Sequence, residues 1–252
     1  MREERLCPCS WALLTPLGGC VYEQEGPPEA HFEQFAAKAP QANTVTVCHA
    51  YGCKAQTPFT FTGSDVAEIA DVMARVRRDD SAAQERRAVA YAVAWMERRV
   101  APVVGTATDR PSMDFLGSGD PSQQDCVDEA TNTTSYLMVL QQNGLLRHHL
   151  VERPFAKDSL LGGHWTHWAA VLRERESGAR FAVDSSSGPN GDNPTVQAAA
   201  SFYVPDGEGD VTPPETATPD ATSDVLTEDD LGGLIRRMQA LGYADSPTGS
   251  TR

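Results

Sequence analysis

The stretch that decides the fold of this chain spans residues 123–146 and reads QQDCVDEATNTTSYLMVLQQNGLL. Asp125 stands at its start as a helix-capping residue, and Asn143-Gly144 supplies a left-handed stop. The less polar positions between them recur at the spacing of an α-helix and are Val127, Ala130, Thr134, Leu137, Met138 and Gln141. The sequence therefore predicts a helix of about four or five turns that carries Cys126 in its first turn.

The position of Cys126 at a helix start has two opposing effects on its thiol. Backbone N–H groups of the first turn lack partners within the helix and favour a negative group, which promotes the thiolate. Asp125, Asp128 and Glu129 crowd the same turn and oppose that effect. We therefore expect the rest of the chain to supply a cationic partner for this sulfur.

The charge of the chain excludes one class of function. The 252 residues carry a formal net charge of −14, and residues 205–230 hold nine Asp or Glu and no Lys or Arg. A nucleic-acid-binding protein displaces counterions with a basic surface, and the sequence shows none. With 40% hydrophobic residues, the chain can build one ordinary domain with tails, and we expect no nucleic-acid partner.

Residues 1–20 resemble a bacterial lipoprotein signal. A patchily apolar run ends in Leu17-Gly18-Gly19-Cys20, where Cys20 is the candidate for lipidation. This pattern predicts a periplasmic protein that meets the membrane only through an N-terminal lipid anchor. The alternative is a disordered leader on a cytoplasmic protein, because two Glu lie near the start and Pro8 and Pro16 interrupt the run.

The remaining cysteines fit the same compartment. Cys48 and Cys53 stand close together in Cys-His-Ala-Tyr-Gly-Cys and are candidates for a disulfide in an oxidising periplasm. Cys126 then remains as a free thiol, which is what a nucleophile requires. In a cytoplasmic protein, Cys48 and Cys53 would instead stay reduced.

Composition divides the chain into six segments. A spacer over 21–43 follows the signal, and the main domain covers 44–204. An acidic, Pro- and Thr-rich linker is expected over 205–226 because it cannot bury enough apolar surface. A short amphipathic helix over 227–243 would dock on the domain or on a partner, and a tail of residues 244–252 follows.

Within the domain, local patterns predict both helices and strands. Tyr51-Gly52 is expected at the turn of a hairpin, and Thr62 and Ser81 are expected to open two helices. Residues 101–122 read as a long loop that lines a cleft. Strands are expected over 145–152, 168–173 and 180–184. The predicted class is α+β, with a helix packed on a small antiparallel sheet.

Three residues in this order could perform nucleophilic catalysis. Cys126 lies on the helix, His167 at the head of one strand, and Asp184 at the end of the next. A thiol nucleophile needs a base to take its proton and a third group to hold that base in one tautomer. A hairpin between the two strands can bring His167 beside Asp184, although a turn at Ser177-Gly178 leaves them slightly out of line and calls for a bulge.

These residues resemble the transglutaminase-like cysteine enzymes, which share their architecture with papain-type proteases. The matching pieces are Cys126-Val-Asp-Glu-Ala130, Asn143-Gly-Leu145, His167-Trp-Ala-Ala-Val-Leu172 and Phe181-Ala-Val-Asp184. Asp125-Cys126 is similar to the Asp-Cys pair of bacterial members. Together with the 48–53 segment, residues 125–133 look like a set of proteobacterial proteins in this superfamily. The resemblance covers about residues 123–190, or 45–200 for the narrower set, and implies a papain/transglutaminase-like core.

Other polar residues are candidates for supporting roles. Gln123 and Gln124 are candidates for donating an N–H to an oxyanion. His164, Trp165 and Trp168 are candidates for contacting substrate. Structural or surface positions are expected for His148, His149 and Asn132. The weaker alternative is a zinc site built from His164, His167, His148, His149 and Cys126, because no zinc-binding motif is present. We expect no metal or cofactor.

The sequence thus predicts a cell-envelope cysteine enzyme that acts on a peptide or amide substrate by acyl transfer. Water as the acceptor would make it a peptidase or amidase, and an amine would make it a transamidase. The alternative is a non-catalytic, membrane-tethered binding module of the same fold.

Overall fold

A computed structural model describes residues 21–22, 25–111, 115–159 and 164–203, all within one compact unit, Met1–Glu208. The predicted lipoprotein signal with Cys20, and the linker, helix and tail over 205–252, lie outside the described residues. Nearly all of the predicted 44–204 domain lies inside them. None of the helices in the described ranges combines the length and apolar character needed to cross a membrane.

Helices and strands alternate irregularly along the chain, with a short 3-10 helix at Phe115–Gly117. The helices are α1 (Glu29–Gln34), α2 (Gly63–Val76), α3 (Ala82–Val104), α4 (Cys126–Gln142) and α5 (Ala199–Tyr203). The strands are β1 (Val21–Tyr22), β2 (Thr44–His49), β3 (Ala55–Thr60), β4 (His149–Ser159), β5 (His164–Glu174), β6 (Arg180–Asp184) and β7 (Thr195–Ala198).

The described strands form two antiparallel sheets. The larger sheet has five strands in the order β1-β4-β5-β6-β7, and the smaller sheet is the β2–β3 hairpin. Strands β4 to β7 are therefore sequential neighbours, as expected for short connections. This arrangement confirms the predicted α+β class.

Helix α4 packs between the hairpin and the larger sheet. The sequence pattern suggested one apolar face, but every residue from Asp128 to Leu140 is buried. Buried hydroxyls are tolerated because they bond back to the helix: Thr131 Oγ1 donates to Val127 O at 2.6 Å, and Ser135 Oγ to Thr131 O at 3.0 Å. Helix α4 is thus a buried helix that packs against both sheets.

The larger sheet buries both of its faces. Ala170, Leu172 and Val183 belong to the main core, which also contains apolar residues of α2, α3, α4 and the hairpin. On the opposite face, Val171 packs with Phe155 and with Phe202 of α5. Alternation along β5 therefore decides which side chains face α4 and which face α5.

Two predicted segments differ from the structure. The 21–43 segment was expected to be a spacer, yet it contains β1 and α1, and Phe32 is buried in the main core. The loop predicted to begin at 101 begins later, because α3 continues through Pro102 and ends at Gly105, which has a φ of 96°. Pro102 lies in the last turn, where its missing N–H removes a single helical bond.

The hairpin and the helix starts agree with the sequence patterns. Residues 50–54 form the turn between β2 and β3. Thr62 and Asp65 form a capping box at α2, and Ser81 accepts the Gln84 N–H at α3. Strand β4 begins at His149 rather than at 145, and β5 begins earlier than predicted, at His164.

Candidate active site

Helix α4 begins at Cys126 because the preceding Asp125 caps it. Asp125 is extended, with φ −108° and ψ 177°, and its Oδ1 accepts the Asp128 N–H at 2.9 Å. The Asp128 carboxylate in turn accepts the Asp125 N–H at 3.3 Å. This reciprocal pair is a capping box, and it places Cys126 at the first position of the helix.

The Cys126 sulfur lies against the backbone of β5. Its S–H donates to the Thr166 carbonyl oxygen at 3.4 Å, and the Trp168 backbone N–H donates to the sulfur. Cys126 is partly exposed and is the free cysteine among the described residues. The sulfur is therefore fixed to the two residues that flank His167.

His167 and Asp184 are in direct contact. His167 Nε2 lies 2.7 Å from Asp184 Oδ2, and the other carboxylate oxygen accepts the Ser186 N–H at 3.2 Å and its hydroxyl at 2.8 Å. Burial tends to raise the pKa of Asp184, but the hydrogen bond and charge of His167 and the Ser186 donors outweigh it, so the pKa lies below its usual value. Asp184 is consequently a carboxylate that can fix the His167 tautomer.

The register of β5 and β6 explains this contact without a bulge. Ala170 pairs with Val183, so the continued register places Asp184 opposite Ala169. His167 lies on the same face of β5 as Ala169, and the pair therefore meets diagonally. We expected a bulge here, but the paired residues of β5 and β6 show none. The His167 and Asp184 side chains are long enough to meet across the diagonal.

An aromatic ring covers His167. The Phe202 ring of α5 lies 5.7 Å from the imidazole of His167, centroid to centroid. The Lys157 ammonium lies 4.6 Å from the centroid of the Phe202 ring. His167 remains 26% exposed on its side chain, so solvent still reaches it. No pattern in the sequence predicted this position for Phe202.

The Cys126 thiol is neutral at physiological pH in this arrangement. Burial raises its pKa to about 12; the Trp168 N–H lowers it, and Asp125, Glu129 and Asp184 raise it further. Burial is the largest cause of the raised pKa, and the charges of Asp125, Glu129 and Asp184 add to it. A reaction at this sulfur requires a base at the moment of attack.

Three further buried acids influence one another near this site, and together with Asp184 we call them the carboxyl cluster: Glu97, Asp109 and Glu129. Burial raises the pKa of Glu97 to about 8 and that of Asp109 to about 6, and it raises the pKa of Glu129 well above its usual value. The charge of Glu97 adds to the rise in the pKa of Glu129, and the charge of Glu129 adds to the rise in the pKa of Cys126. These acids carry no signal in the sequence, because only the tertiary packing buries them together.

The two glutamines hold neighbouring loops together. Gln123 Nε2 donates to the Thr108 carbonyl at 3.1 Å, and Gln124 Nε2 donates to the Cys48 carbonyl at 3.1 Å. Both residues are buried. The contacts show structural use of both amides, and an oxyanion role for either stays a prediction.

The three candidates for contacting substrate lie at the start of β5. Trp168 is buried and packs on the rings of His31 and Phe35, at centroid distances of 5.3 and 5.2 Å. It also belongs to the small apolar cluster that contacts Cys126. The side chains of His164 and Trp165 lie outside the described residues, and substrate contact stays a prediction for all three.

Cys48 and Cys53 lie together as a disulfide, with their Cα atoms 4.5 Å apart. Asn132, expected as a structural residue, pairs with both backbone groups of Cys48: its Oδ1 accepts the N–H at 2.7 Å, and its Nδ2 donates to the carbonyl at 2.9 Å. The predicted disulfide pair thus lies directly against α4.

The histidines of the zinc alternative bind separate carboxylates. His148 Nε2 lies 3.2 Å from Asp80, and His149 Nδ1 lies 2.9 Å from Glu85. Within the described ranges, the side chains close enough to share a metal ion are Cys48, Cys53 and Asp128. Two of these three are joined as a disulfide, so the oxidised protein does not offer them as thiolate ligands.

Comparison with known proteins adds no relatives: no family model, curated protein or solved structure matches the chain. The resemblance to transglutaminase-like enzymes therefore stays a prediction from the sequence motifs.

Proposed function

We propose that this protein is a cysteine enzyme that cleaves or transfers an acyl group at an amide bond. Cys126 is the nucleophile, His167 the general base and acid, and Asp184 the group that orients the imidazole. The observation that carries the proposal is the 2.7 Å contact between His167 of β5 and Asp184 of β6. The backbone of β5 also binds the Cys126 sulfur.

The hydrogen bonds of His167 support a different role for each of its two imidazole nitrogens. With Nε2–H donated to the Asp184 carboxylate, Nδ1 of His167 is the nitrogen that can accept a proton. As sulfur attacks the substrate carbonyl carbon, its S–H proton passes to Nδ1. The imidazolium then returns that proton to the departing amine, and an acyl thioester on Cys126 remains.

The second half of the reaction releases the acyl group. His167 takes a proton from water or from an acceptor amine, which attacks the thioester carbonyl and expels the sulfur. The departing sulfur takes the proton back from the imidazolium, which restores the thiol and the neutral imidazole. Water gives an acid product, and an amine gives a new amide. In this proposal, backbone N–H groups at the start of α4 stabilise the oxyanion that forms in both halves.

The finer assignment follows from the same features. The order of a cysteine helix, a histidine strand and an aspartate strand supports a papain/transglutaminase-like core. The disulfide pair and the Cys20 pattern support a periplasmic, lipid-anchored protein. The substrate class we propose is a peptide or a side-chain amide.

A second candidate is a non-catalytic, tethered binding module of the same fold. The observation that favours it is the raised pKa of Cys126, to about 12, which leaves the resting thiol unreactive by itself. The two candidates differ in whether His167 activates the sulfur.

Alkylation of Cys126 by iodoacetamide at pH 7.5, followed by mass spectrometry of its peptide, separates the candidates. We expect the rate constant to fall at least about 10-fold in His167→Ala, because the base that removes the thiol proton is gone. The matched control is His148→Ala, which removes a half-buried histidine bound to Asp80 and should leave the rate unchanged. Equal rates in wild type and His167→Ala would leave the binding module as the surviving candidate.

A further inference from the structure

The turn that the disulfide closes, residues 48–53, has an unusual backbone, and we call it the 48–53 loop. Its last four residues all have positive φ: 68° at Ala50, 70° at Tyr51, 65° at Gly52 and 57° at Cys53. Only one of them is glycine, and a left-handed residue with a side chain costs about 1–2 kcal/mol. Other contacts must therefore hold the loop in this shape.

The acids at the start of α4 supply part of that support. Asp128 accepts the Tyr51 N–H at 2.8 Å and the Cys53 N–H at 2.6 Å, one on each carboxylate oxygen. Asp125 Oδ1 accepts the Gly52 N–H at 3.1 Å. Successive left-handed residues point their N–H groups into one concave site, and here two carboxylates occupy it.

The same two carboxylates form the capping box that begins α4 at Cys126. Asp125 Oδ1 therefore bonds both the loop and the helix, and Asp128 Oδ2 does the same. Asp128 is fully buried, and burial together with Asp125 raises its pKa to about 7, while the N–H donors of the loop lower it. Loss of those donors would leave a buried carboxyl without its main partners.

The other end of the loop is attached one turn further along the helix. Asn132 binds the N–H and the carbonyl of Cys48, and Gln124 also donates to that carbonyl. The Cys48–Cys53 disulfide joins this end to the Asp128 end. The loop thus fixes the first two turns of α4 at both sides of Cys126.

We propose that the 48–53 loop positions Cys126 for reaction with His167, with Asp128 as the positioning residue, and that it does so only while the disulfide is closed. This inference rests on the proposed function. A dithiol reductant would give two electrons and two protons to the disulfide, leaving two thiols, and would itself become a disulfide. The left-handed turn then relaxes and Asp128 loses its N–H donors. As a result, the Cys126 sulfur is no longer held in position for the His167 imidazole.

The test measures how strongly the alkylation of Cys126 depends on His167, as the ratio of rate constants in wild type and His167→Ala. This ratio reports positioning, whereas mere exposure of the thiol would change both rates together. We expect a ratio above about 10 with the disulfide closed, falling to near one after dithiothreitol treatment and its removal. A ratio that stays high in the reduced protein would overturn the inference.

The outcome separates this inference from the proposed function. If the ratio is near one even in the oxidised protein, the proposed function fails. If it is high before and after reduction, the function stands and the positioning role fails. Cys48 and Cys53 are alkylated in the reduced sample too, so the rate is read only from the peptide that contains Cys126.

Substitutions give a second route that needs no reductant. In an Asp128→Ala background the ratio should fall to near one, and in Asp128→Asn it should recover in part, because the amide keeps one acceptor oxygen for the loop. The matched control is Asp65→Ala, which removes a similarly buried capping carboxylate at α2. It should lower the melting temperature and leave the ratio high. If Asp128→Ala does not fold, the reduced wild type decides; an unchanged ratio in folded Asp128→Ala contradicts the role.

Discussion

Among single residues, Asp184 uses each of its two carboxylate oxygens for a different partner. One binds His167 and the other binds Ser186. In Asp184→Asn, the amide can turn its N–H₂ towards His167 and favour the wrong tautomer. We expect acyl-transfer activity to fall by about 10²–10⁴-fold, in the range of general acid–base effects.

The measurement for Asp184→Asn is kcat/KM on a peptide-amide substrate, with Cys126→Ala as the blank. Ser186→Ala is the control, since it removes the hydroxyl donor to the other oxygen and leaves the Ser186 N–H and the His167 contact in place. We expect it to cost much less activity than Asp184→Asn. A loss of similar size in both variants would show that the carboxylate acts only through general stability.

Chain order in the sequence could predict the candidate site residues, and it missed the acids that only burial brings together. Cys126, His167 and Asp184 were visible because a helix, a turn and two strands separate them in a fixed order. Glu97 and Asp109 carry no local signal, since each lies among ordinary polar neighbours in the sequence. Their raised pKa values come from packing between elements that are distant in the chain.

At the scale of elements, one buried glutamate joins α3 to the start of β4. Glu85 is fully buried and accepts the backbone N–H groups of Arg147, His148 and His149 at 2.8–3.0 Å. Its Oε1 also lies 2.9 Å from His149 Nδ1. Burial tends to raise the pKa of Glu85, but these donors outweigh it and the pKa is lowered.

We expect Glu85→Gln to destabilise the fold by about 3 kcal/mol, because an amide cannot accept on both sides and leaves buried donors unpaired. Thermal unfolding followed by circular dichroism measures this. Glu174→Gln is the control: it breaks a partly exposed pair with Arg86 and should cost about 1 kcal/mol or less. The lowered pKa means that the Glu85 contribution is present at neutral pH and is lost as pH falls through its folded value.

Element prediction succeeded where a capping signal was present and failed where packing decided. Asp125, Thr62 and Ser81 each marked a helix start, and the structure has helices there. The end of α3 was misplaced, since Pro102 reads locally as a breaker. The polar run of Thr and Ser in α4 likewise gave no sign of complete burial, because their hydroxyls satisfy themselves on the helix backbone.

At the scale of the whole molecule, buried acids make stability depend on pH. The pKa values of Glu97, Asp128 and Asp109 are raised to about 8, 7 and 6. The folded state therefore holds protons that the unfolded chain has lost, so stability falls as pH rises from about 4 to 8. Asp65, Glu85 and Asp184 have lowered pKa values, and their contributions are lost at acid pH.

We consequently expect a higher melting temperature near pH 5 than near pH 8, measured in buffers of equal ionic strength. Glu97→Gln should reduce the difference, because its amide needs no proton to be neutral. Each kcal/mol corresponds to about 2–4 °C for a domain of this size. Glu176→Gln, at an exposed turn, is the control and should keep the wild-type profile. A profile that is flat or rises between pH 5 and 8 would contradict the assignment.

The α+β class followed from the sequence because helical and strand periods alternate along the chain. The sheet order and the diagonal register of β5 and β6 did not follow, since they depend on how far two strands slide past each other. The place of α1 in the core was also hidden: its six residues are too short to show a period, and Phe32 is buried only by distant elements.

The ring that rests on the imidazole belongs to the last helix described, and this limits how a shorter gene can be designed. A stop codon placed after Tyr203 would remove the acidic, Pro-rich tail and keep Phe202 over the histidine. A stop codon placed a few triplets earlier would remove the Phe202 ring from His167, and assays on such a truncated product would describe a histidine in different surroundings.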